Sequence, residues 1–344
     1  MANQFYDNFV LANKFDSLLI TKVNLANYMT VDRELAENAG MKKKINRYSA
    51  TGNVEDLAMT EGNSGIIEST FKQEEYEVGV TQGKGVYYDE EAMRDPKVVD
   101  ALVRGMAEIM ANDFTTKAIT EYGKGTQKIE CDYSTSTAGY FFEKVVDAIA
   151  MFGEEAEGLT LLISPNNQAY VRKQLRDDLK YSEGYVRTGY IGHVAGIPVV
   201  MSKAVPDSCS FIANNEAVTL FIKKDSEAEQ ERDADHRKNT LYLRKVALVA
   251  LTNDKKLVCL GKAQTACAIT TGTKATKTVG GTCDTNAYKV VFDVNGANPI
   301  EVTPSAGSWS GTATANLAAN DKIHAIAYRN GYANAVATEF TVEA

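Results

Sequence analysis

The chain has 344 residues, 44% of them hydrophobic and 24% charged, and its 37 basic and 45 acidic residues give a formal net charge of −8. That balance excludes general disorder and argues against a protein that coats nucleic acid over its whole surface. No apolar run approaches the roughly 20 residues of a membrane-spanning helix, and Met1-Ala2-Asn3-Gln4-Phe5 lacks the basic-then-apolar build of a signal peptide, so cytoplasmic synthesis is expected.

Residues 1–36 mix Phe5, Phe9, Phe15, Leu18, Leu19 and Ile20 with Asn and Lys without a clean period. This predicts an extended arm with short helical pieces, its aromatics buried against another surface. Residues 41–48 predict a strand that contains the one compact basic run, Lys42-Lys43-Lys44. The run reads either as a solvated strand end or as a patch facing phosphate. Residues 50–69, rich in Gly, Asn, Ser, Glu and Thr, predict a loop. Phe71, Tyr76, Val78 and Val80 then alternate with polar residues, and Val86-Tyr87-Tyr88 follows Gln82-Gly83-Lys84-Gly85. The pattern predicts a hairpin turning at the glycines. A two-stranded hairpin this polar is marginal alone and wants a partner surface.

Asp95-Pro96 supplies an N-cap acid and a first-turn proline for a helix running to about Tyr122, with Gly123 as its stop. Val99, Leu102, Val103, Met106, Ile109 and Met110 give it an apolar stripe, and its length is roughly 40 Å. Residues 140–152 predict a second amphipathic helix on Phe141, Val145, Ile149 and Phe152, and residues 159–163 a buried strand. Ser164-Pro165 caps a helix over residues 166–180. A Tyr- and Gly-rich loop at 181–192 precedes strands at 197–201, near Phe211, and at 218–222, 240–251 and 257–260. Residues 223–238 carry almost only Lys, Asp, Glu and Arg, which composition alone reads as a solvated excursion. Contacting a neighbour, such a segment would set register more than affinity.

After Lys262 the composition shifts to Thr, Ala, Gly and Asn. Short alternating strands at 268–270, 289–292, 300–302, 323–328 and 338–342, separated by Gly and Asn turns, predict a β-sandwich with Trp309 in its core. The fold class is therefore α+β with an added all-β domain.

No chemistry of a catalytic or metal site emerges. Glu74-Glu75 and Glu90-Glu91 are adjacent acids pointing in different directions. Gly83-Lys84-Gly85 lacks the full spacing of a phosphate loop, and no Gly-x-Ser-x-Gly elbow surrounds Ser164. His193, His236 and His324 are far apart and read as structural. Cys131, Cys209, Cys259, Cys267 and Cys283 form no CxxC pair, so free thiols are the default, with Cys267 and Cys283 as a pair that could close on neighbouring strands in an oxidising medium. No catalytic residue, cofactor or metal is assigned.

The order of arm, exposed hairpin, long helix and compact α+β domain now matters, together with three local phrases. These are Leu162-Ile163-Ser164-Pro165-Asn166, Gly192-His193-Val194-Ala195-Gly196-Ile197-Pro198-Val199-Val200 and Glu231-Arg232-Asp233. In both respects the chain resembles the major capsid proteins of tailed bacteriophages (Caudovirales), which have the Hong Kong 97 fold. The resemblance covers about residues 1–262. It implies an N-terminal arm (1–57), an extended loop lying across a neighbour (58–94), a spine helix with peripheral and axial domains (95–262), and a surface immunoglobulin-like domain (263–344).

Inter-subunit contacts are then expected at Tyr76, Val78, Lys84, Val86 and Tyr87, and at Glu229, Glu231, Arg232, Asp233 and Arg237, with Lys42, Lys43 and Lys44 facing DNA. Further implications are self-assembly as pentamers and hexamers into an icosahedral shell enclosing double-stranded DNA, assembly in the host bacterial cytoplasm, and a virion location. The partners implied are a separate scaffolding protein, a portal, and a decoration protein or host-surface glycan on the outer domain. On this reading residues 263–344 are dispensable for the shell. The competing readings are an encapsulin-like compartment, marked by an inner groove for a cargo peptide, and a surface adhesin built on the sandwich.

Overall fold

The computed structural model describes residues 8–22, 28–36, 40–52, 54, 56, 62, 65–95, 97–135, 137, 139–153, 156–174 and 192–343. The chain divides into two compact units: Met1–Phe114 with Val218–Asn253, and Thr115–Ala217 with Asp254–Ala344. The expected loop at 181–191 and the first-turn Pro96 lie outside the described residues.

The first unit is built on a four-stranded sheet. Strand β1 (Thr30–Asp32) runs parallel to β10 (Val218–Asp233), which pairs antiparallel with β11 (Lys238–Leu251), and β11 pairs antiparallel with the edge strand β4 (Gly79–Tyr88). Helix α1 (Asn8–Lys22) turns Leu11, Phe15 and Leu19 inward. Its Asp16 takes hydrogen bonds from the buried Lys245 ammonium and from Ser226, an ion pair sheltered from water. Part of the expected arm is thus one fifteen-residue helix whose buried face, Leu11, Phe15 and Leu19, recurs every four residues.

The helix α3 (Val98–Tyr122) carries the buried series Val99, Val103, Met106, Met110, Phe114, Ala118 and Tyr122, stepped by three and four residues. Asp95 accepts the Lys97 N–H at 2.9 Å, the capping role its position predicts. Ile109 departs from the expected stripe, being 72% exposed.

The hairpin turn expected at Gln82-Gly83-Lys84-Gly85 does not exist. These residues lie in the middle of β4, with Gly83 opposite Leu243 and Gly85 opposite Leu241. A Cβ on Gly85 would stand 2.7 Å from Met106 Sδ and 2.9 Å from Leu102 Cδ2, closer than packed atoms allow. The glycines therefore mark a close approach of strand to helix, the other cause of glycine within a strand. The true hairpin lies earlier: β2 (Lys42–Gly52) pairs with β3 (Ile67–Glu77) as a separate two-stranded sheet, so part of the stretch expected as loop is strand. Residues 223–238 likewise form the end of the β10–β11 ladder rather than an excursion.

The second unit centres on a six-stranded mixed sheet, order β5-β12-β9-β6-β8-β7, in which β9 (Cys209–Ala213), β6 (Thr160–Ile163) and β12 (Leu257–Gly261) are almost wholly buried. The outer strands are β5 (Lys128–Glu130), β8 (Ile197–Met201) and β7 (His193–Val194). Helix α4 (Tyr140–Ala150) packs Phe141, Val145 and Ala148 into this core. Helix α5 (Pro165–Gln174) starts as expected, Ser164 Oγ accepting the Asn167 N–H at 3.2 Å.

Residues 263–343 form a two-sheet sandwich. One sheet is β13 (Ala268–Gly272), β14 (Thr278–Thr282) and β17 (Ser308–Thr312). The other is β16 (Ala297–Val302), β15 (Lys289–Val294), β18 (Lys322–Tyr328) and β19 (Ala335–Val336), with β20 (Phe340–Thr341) also on β18. Val279, Val290, Phe292, Trp309, Ile323 and Ala325 share its core, and the Phe292 and Trp309 rings lie 5.6 Å apart. Trp309 is where the sequence places it. Strand β14, Thr278-Val279-Gly280-Gly281-Thr282, escapes sequence reading because two glycines break its alternation.

The sandwich is joined to the six-stranded sheet backbone to backbone. Lys262 bridges Tyr332 in parallel, and the Ala333 N–H donates to Lys262 O at 2.9 Å. A Cβ on Gly261 would meet Ala333 N and the Tyr332 carbonyl carbon, both at 2.7 Å, so only glycine permits this contact. Lys128 donates to the Arg329 carbonyl at 2.7 Å and faces the rings of Tyr288 and Tyr328. Burial lowers the Lys128 pKa, since the surrounding rings and strands replace water.

Candidate functional site

The described residues contain no group of three or more His, Cys, Asp or Glu side chains placed to hold a metal, and none of their helices is long and apolar enough to cross a membrane. Functional surface has to be sought on the first unit's outer strands.

The root of the β2–β3 hairpin is fixed. Ile45 and Val78 are buried with Leu35, Phe221, Leu248 and Ala250, and Tyr76 packs against this cluster. Arg47 grips Glu74 through both terminal nitrogens, at 3.2 and 2.8 Å, and donates to Leu251 O at 3.0 Å. Such a fork fixes orientation as well as distance. Farther along, exposed apolar side chains stand among the described residues. Ile67 is 60% and Phe71 67% exposed, two alternate steps apart on one face of β3, and Ile66 is 71% exposed.

The edge strand β4 also offers an apolar row. Its inward residues Gly83, Gly85 and Tyr87 face the unit's interior, while Val80, Val86 and Tyr88 on the opposite face are exposed. Gln82 and Lys84 lie between them on the same face, and an edge strand with exposed apolar positions is a template for another chain.

The sequence-expected contact residues divide by burial. Val78, 3% exposed, and Tyr87, 8% exposed, fill their own chain's interior and are not available to a neighbour. The reason for Val78 is that it follows β3 at the hairpin root instead of sitting out along a loop. Tyr76 gives its hydroxyl to Glu74 at 2.9 Å and is likewise part of the root. Lys84 and Val86 remain exposed, with the Lys84 ammonium 5.6 Å from the Tyr242 ring.

The expected charged contacts find partners within the chain. Glu229 accepts from Arg244 at 2.7 Å, Glu231 from Tyr242 at 3.1 Å, and Arg232 reaches Asp89 at 3.0 Å. Asp233 accepts from the backbone of the turn and faces His236, and Arg237 meets Glu90 at 3.3 Å. The hydrogen bond from Asn239, reinforced by Arg232, holds the Asp89 carboxyl below its ordinary pKa. The run thus reads as a cross-strand ladder of opposite charges between β10, β11 and the short helix α2 (Asp89–Arg94).

The lysine run is similarly balanced. Lys42 pairs with Glu75, Lys43 pairs with Glu34 and covers the Phe221 ring, and Lys44 lies opposite Glu75 in the ladder. Two of the three ammonium groups thus sit in ion pairs, and Lys44 shares the neighbourhood of the Glu75 that pairs with Lys42.

Sequence reading missed Ile67, Val80 and Tyr88 as exposed apolar positions, because it placed the hairpin one strand too late. The sequence signal there is weak, because Ser69 and Gln73 share a face with Ile67 and Phe71 and break the alternation.

No family model and no curated protein matches the chain. Solved structures do. The capsid of a native GTA particle is 12% identical with a TM-score of 0.59, covering 70% of this chain and 90% of that one. The capsid of cyanophage P-SCSP1u is 14% identical with a TM-score of 0.55, covering 69% and 86%. A virus-like particle from Pyrococcus furiosus is 15% identical with a TM-score of 0.50, covering 72% and 98%. The arm, hairpin, long helix and mixed central sheet therefore constitute the Hong Kong 97 fold, that of tailed-phage major capsid proteins.

Proposed function

We propose that this chain is a major capsid protein, a structural and not a catalytic molecule, which self-assembles as pentamers and hexamers into the icosahedral head of a tailed bacteriophage around double-stranded DNA. Assembly would take place in the host bacterial cytoplasm with a scaffolding protein and a portal. The sandwich would be an immunoglobulin-like outer domain that presents a surface to a decoration protein or a host-surface glycan. The Lys42–Glu75 and Lys43–Glu34 ion pairs would make any contact of this run with the packaged DNA weak and non-specific.

The observation that carries the reading is the β2–β3 hairpin: a separate two-stranded sheet with Ile67 and Phe71 largely exposed. A lone hairpin is marginally stable in water, and sister subunits would supply the missing surface. Many modest contacts of standard size, roughly 1,600 Å² each, suffice for a closed shell.

The double change Ile67→Asp and Phe71→Asp tests this. The monomer should stay soluble with an unchanged circular dichroism spectrum, since exposed substitutions typically cost within about 0.5 kcal/mol, while shells disappear from electron micrographs. Wild-type yields of shells would refute the role of the hairpin. The likeness to a virus-like particle favours one second reading, a cargo compartment. Particles that protect no DNA but co-purify with one bacterial protein would select it.

A further inference from the structure

Cys267 and Cys283 stand against each other across the β13–β14 ladder. Ala268 is paired with Thr282 in antiparallel register, so one step outward sets Cys267 opposite Cys283. A strand residue's N–H and C=O point to the same side, and Cys283 gives its N–H to Gly307 O at 2.9 Å, toward the β17 side. Toward β13 it is therefore in a non-hydrogen-bonded position, the close kind, where facing Cα atoms lie about 4.5 Å apart. That separation falls inside the roughly 4.4–6.8 Å range that a disulfide spans. Both side chains are turned to one face, 4% and 6% exposed within a single core cluster that includes Trp309.

We propose that Cys267 and Cys283 are a disulfide-forming pair that closes when the protein passes from a reducing to an oxidising medium and staples the edge strand β13 to β14. The bond would secure the outermost strand of the three-stranded sheet, beside the point where the sandwich joins the rest of its unit. The proposal holds whether or not the chain builds a shell.

The balance is simple. One thiolate attacks a small disulfide such as oxidised glutathione, forming a mixed disulfide and releasing one glutathione thiolate. The second cysteine thiolate then displaces the other glutathione. The protein loses two protons and two electrons, and the oxidant is reduced to two thiols. Burial pushes the Cys267 thiol up to about 11 and raises Cys283 also, so both rest as neutral thiols in the closed sheet. Oxidation then waits on opening of the edge strand and is slow at neutral pH. The other neighbouring pair, Cys209 and Cys259, brings its thiols into hydrogen-bonding contact, but the backbone is offset diagonally, since Cys209 faces Gly261 and Cys259 faces Phe211. Diagonal Cα atoms are about 7–8 Å apart, outside the roughly 4.4–6.8 Å of ordinary disulfides, so this pair is expected to stay reduced.

The full-length protein, incubated with oxidised glutathione and then denatured, should expose three thiols to an alkylating reagent in place of five. A non-reducing peptide map should join the Cys267 and Cys283 peptides, and a reducing agent should restore all five thiols. Five free thiols after prolonged oxidation, glutathione retained on either cysteine, or a cross-link between any other two would overturn the assignment.

Discussion

The β2–β3 hairpin of the first unit and the sandwich of the second solve the problem of thin β-structure in opposite ways. The sandwich encloses its own core around Phe292 and Trp309 and meets the neighbouring sheet through backbone hydrogen bonds and a glycine that no other residue can replace. The hairpin is buried at its root, where Ile45 and the Arg47–Glu74 fork hold it, and farther along Ile67 and Phe71 are largely exposed. One segment is complete within the chain, whereas the other has burial still to gain. The difference separates a segment that is complete in itself from one with surface to offer a neighbour.

The largest expected effect breaks the first half of the comparison. Truncation after Lys262 removes the partners of Lys128, Gly261 and Lys262, and the shortened chain should be insoluble on expression, contrary to the dispensability suggested by sequence. Recovery of a soluble, cooperatively folded protein would show that the sandwich is an appendage after all. Next, Val103→Asp places a charge where the residue is fully buried on α3. An uncompensated buried charge costs about 3–5 kcal/mol, so soluble yield should collapse, and a normal denaturation midpoint would contradict the stripe.

A smaller loss is expected from Gly261→Ala, whose Cβ collides with backbone that cannot rotate away. Overpacking of this kind costs about 1–3 kcal/mol, read as a lower urea midpoint, and an unchanged midpoint would mean the junction is loose. The smallest effect concerns His324, whose ring nitrogens lie 3.1 Å from Asp293 and 3.1 Å from Glu339. The Asp293 hydrogen bond first, then that of Glu339, raises its pKa. The resulting stabilisation is complete below the unfolded value of about 6.5 and fades as pH rises through the raised folded value. Solvent screening keeps it small. His324→Gln should therefore lower the urea midpoint more at about pH 5.5 than at about pH 8.5, and an equal loss at both would remove the clamp.

Much of this architecture is legible in the amino acids because one signal dominates each element. The three- and four-residue spacing from Val99 to Met110 predicts α3, and Ser164-Pro165 marks the start of α5. Reading fails where one residue type serves two purposes. Gly83 and Gly85 resemble a turn but admit Met106, and the acids and bases of residues 223–238 resemble a solvated loop but pair across a ladder. Exposure along residues 78–88 was half legible: Val86 and Lys84 are exposed, while Val78 and Tyr87 alternate as a surface strand would and are nonetheless buried. Period-two alternation says that two faces differ, and only tertiary packing decides which of them is wet.

The central claim is that the exposed hairpin and edge strand are covered by sister subunits. Analytical ultracentrifugation of the purified full-length protein, co-expressed with a scaffolding protein, measures this most directly. The account predicts particles sedimenting as closed shells, with the Ile67→Asp, Phe71→Asp protein remaining small. A fully folded wild-type monomer that stays monomeric at high concentration under the same conditions would contradict it.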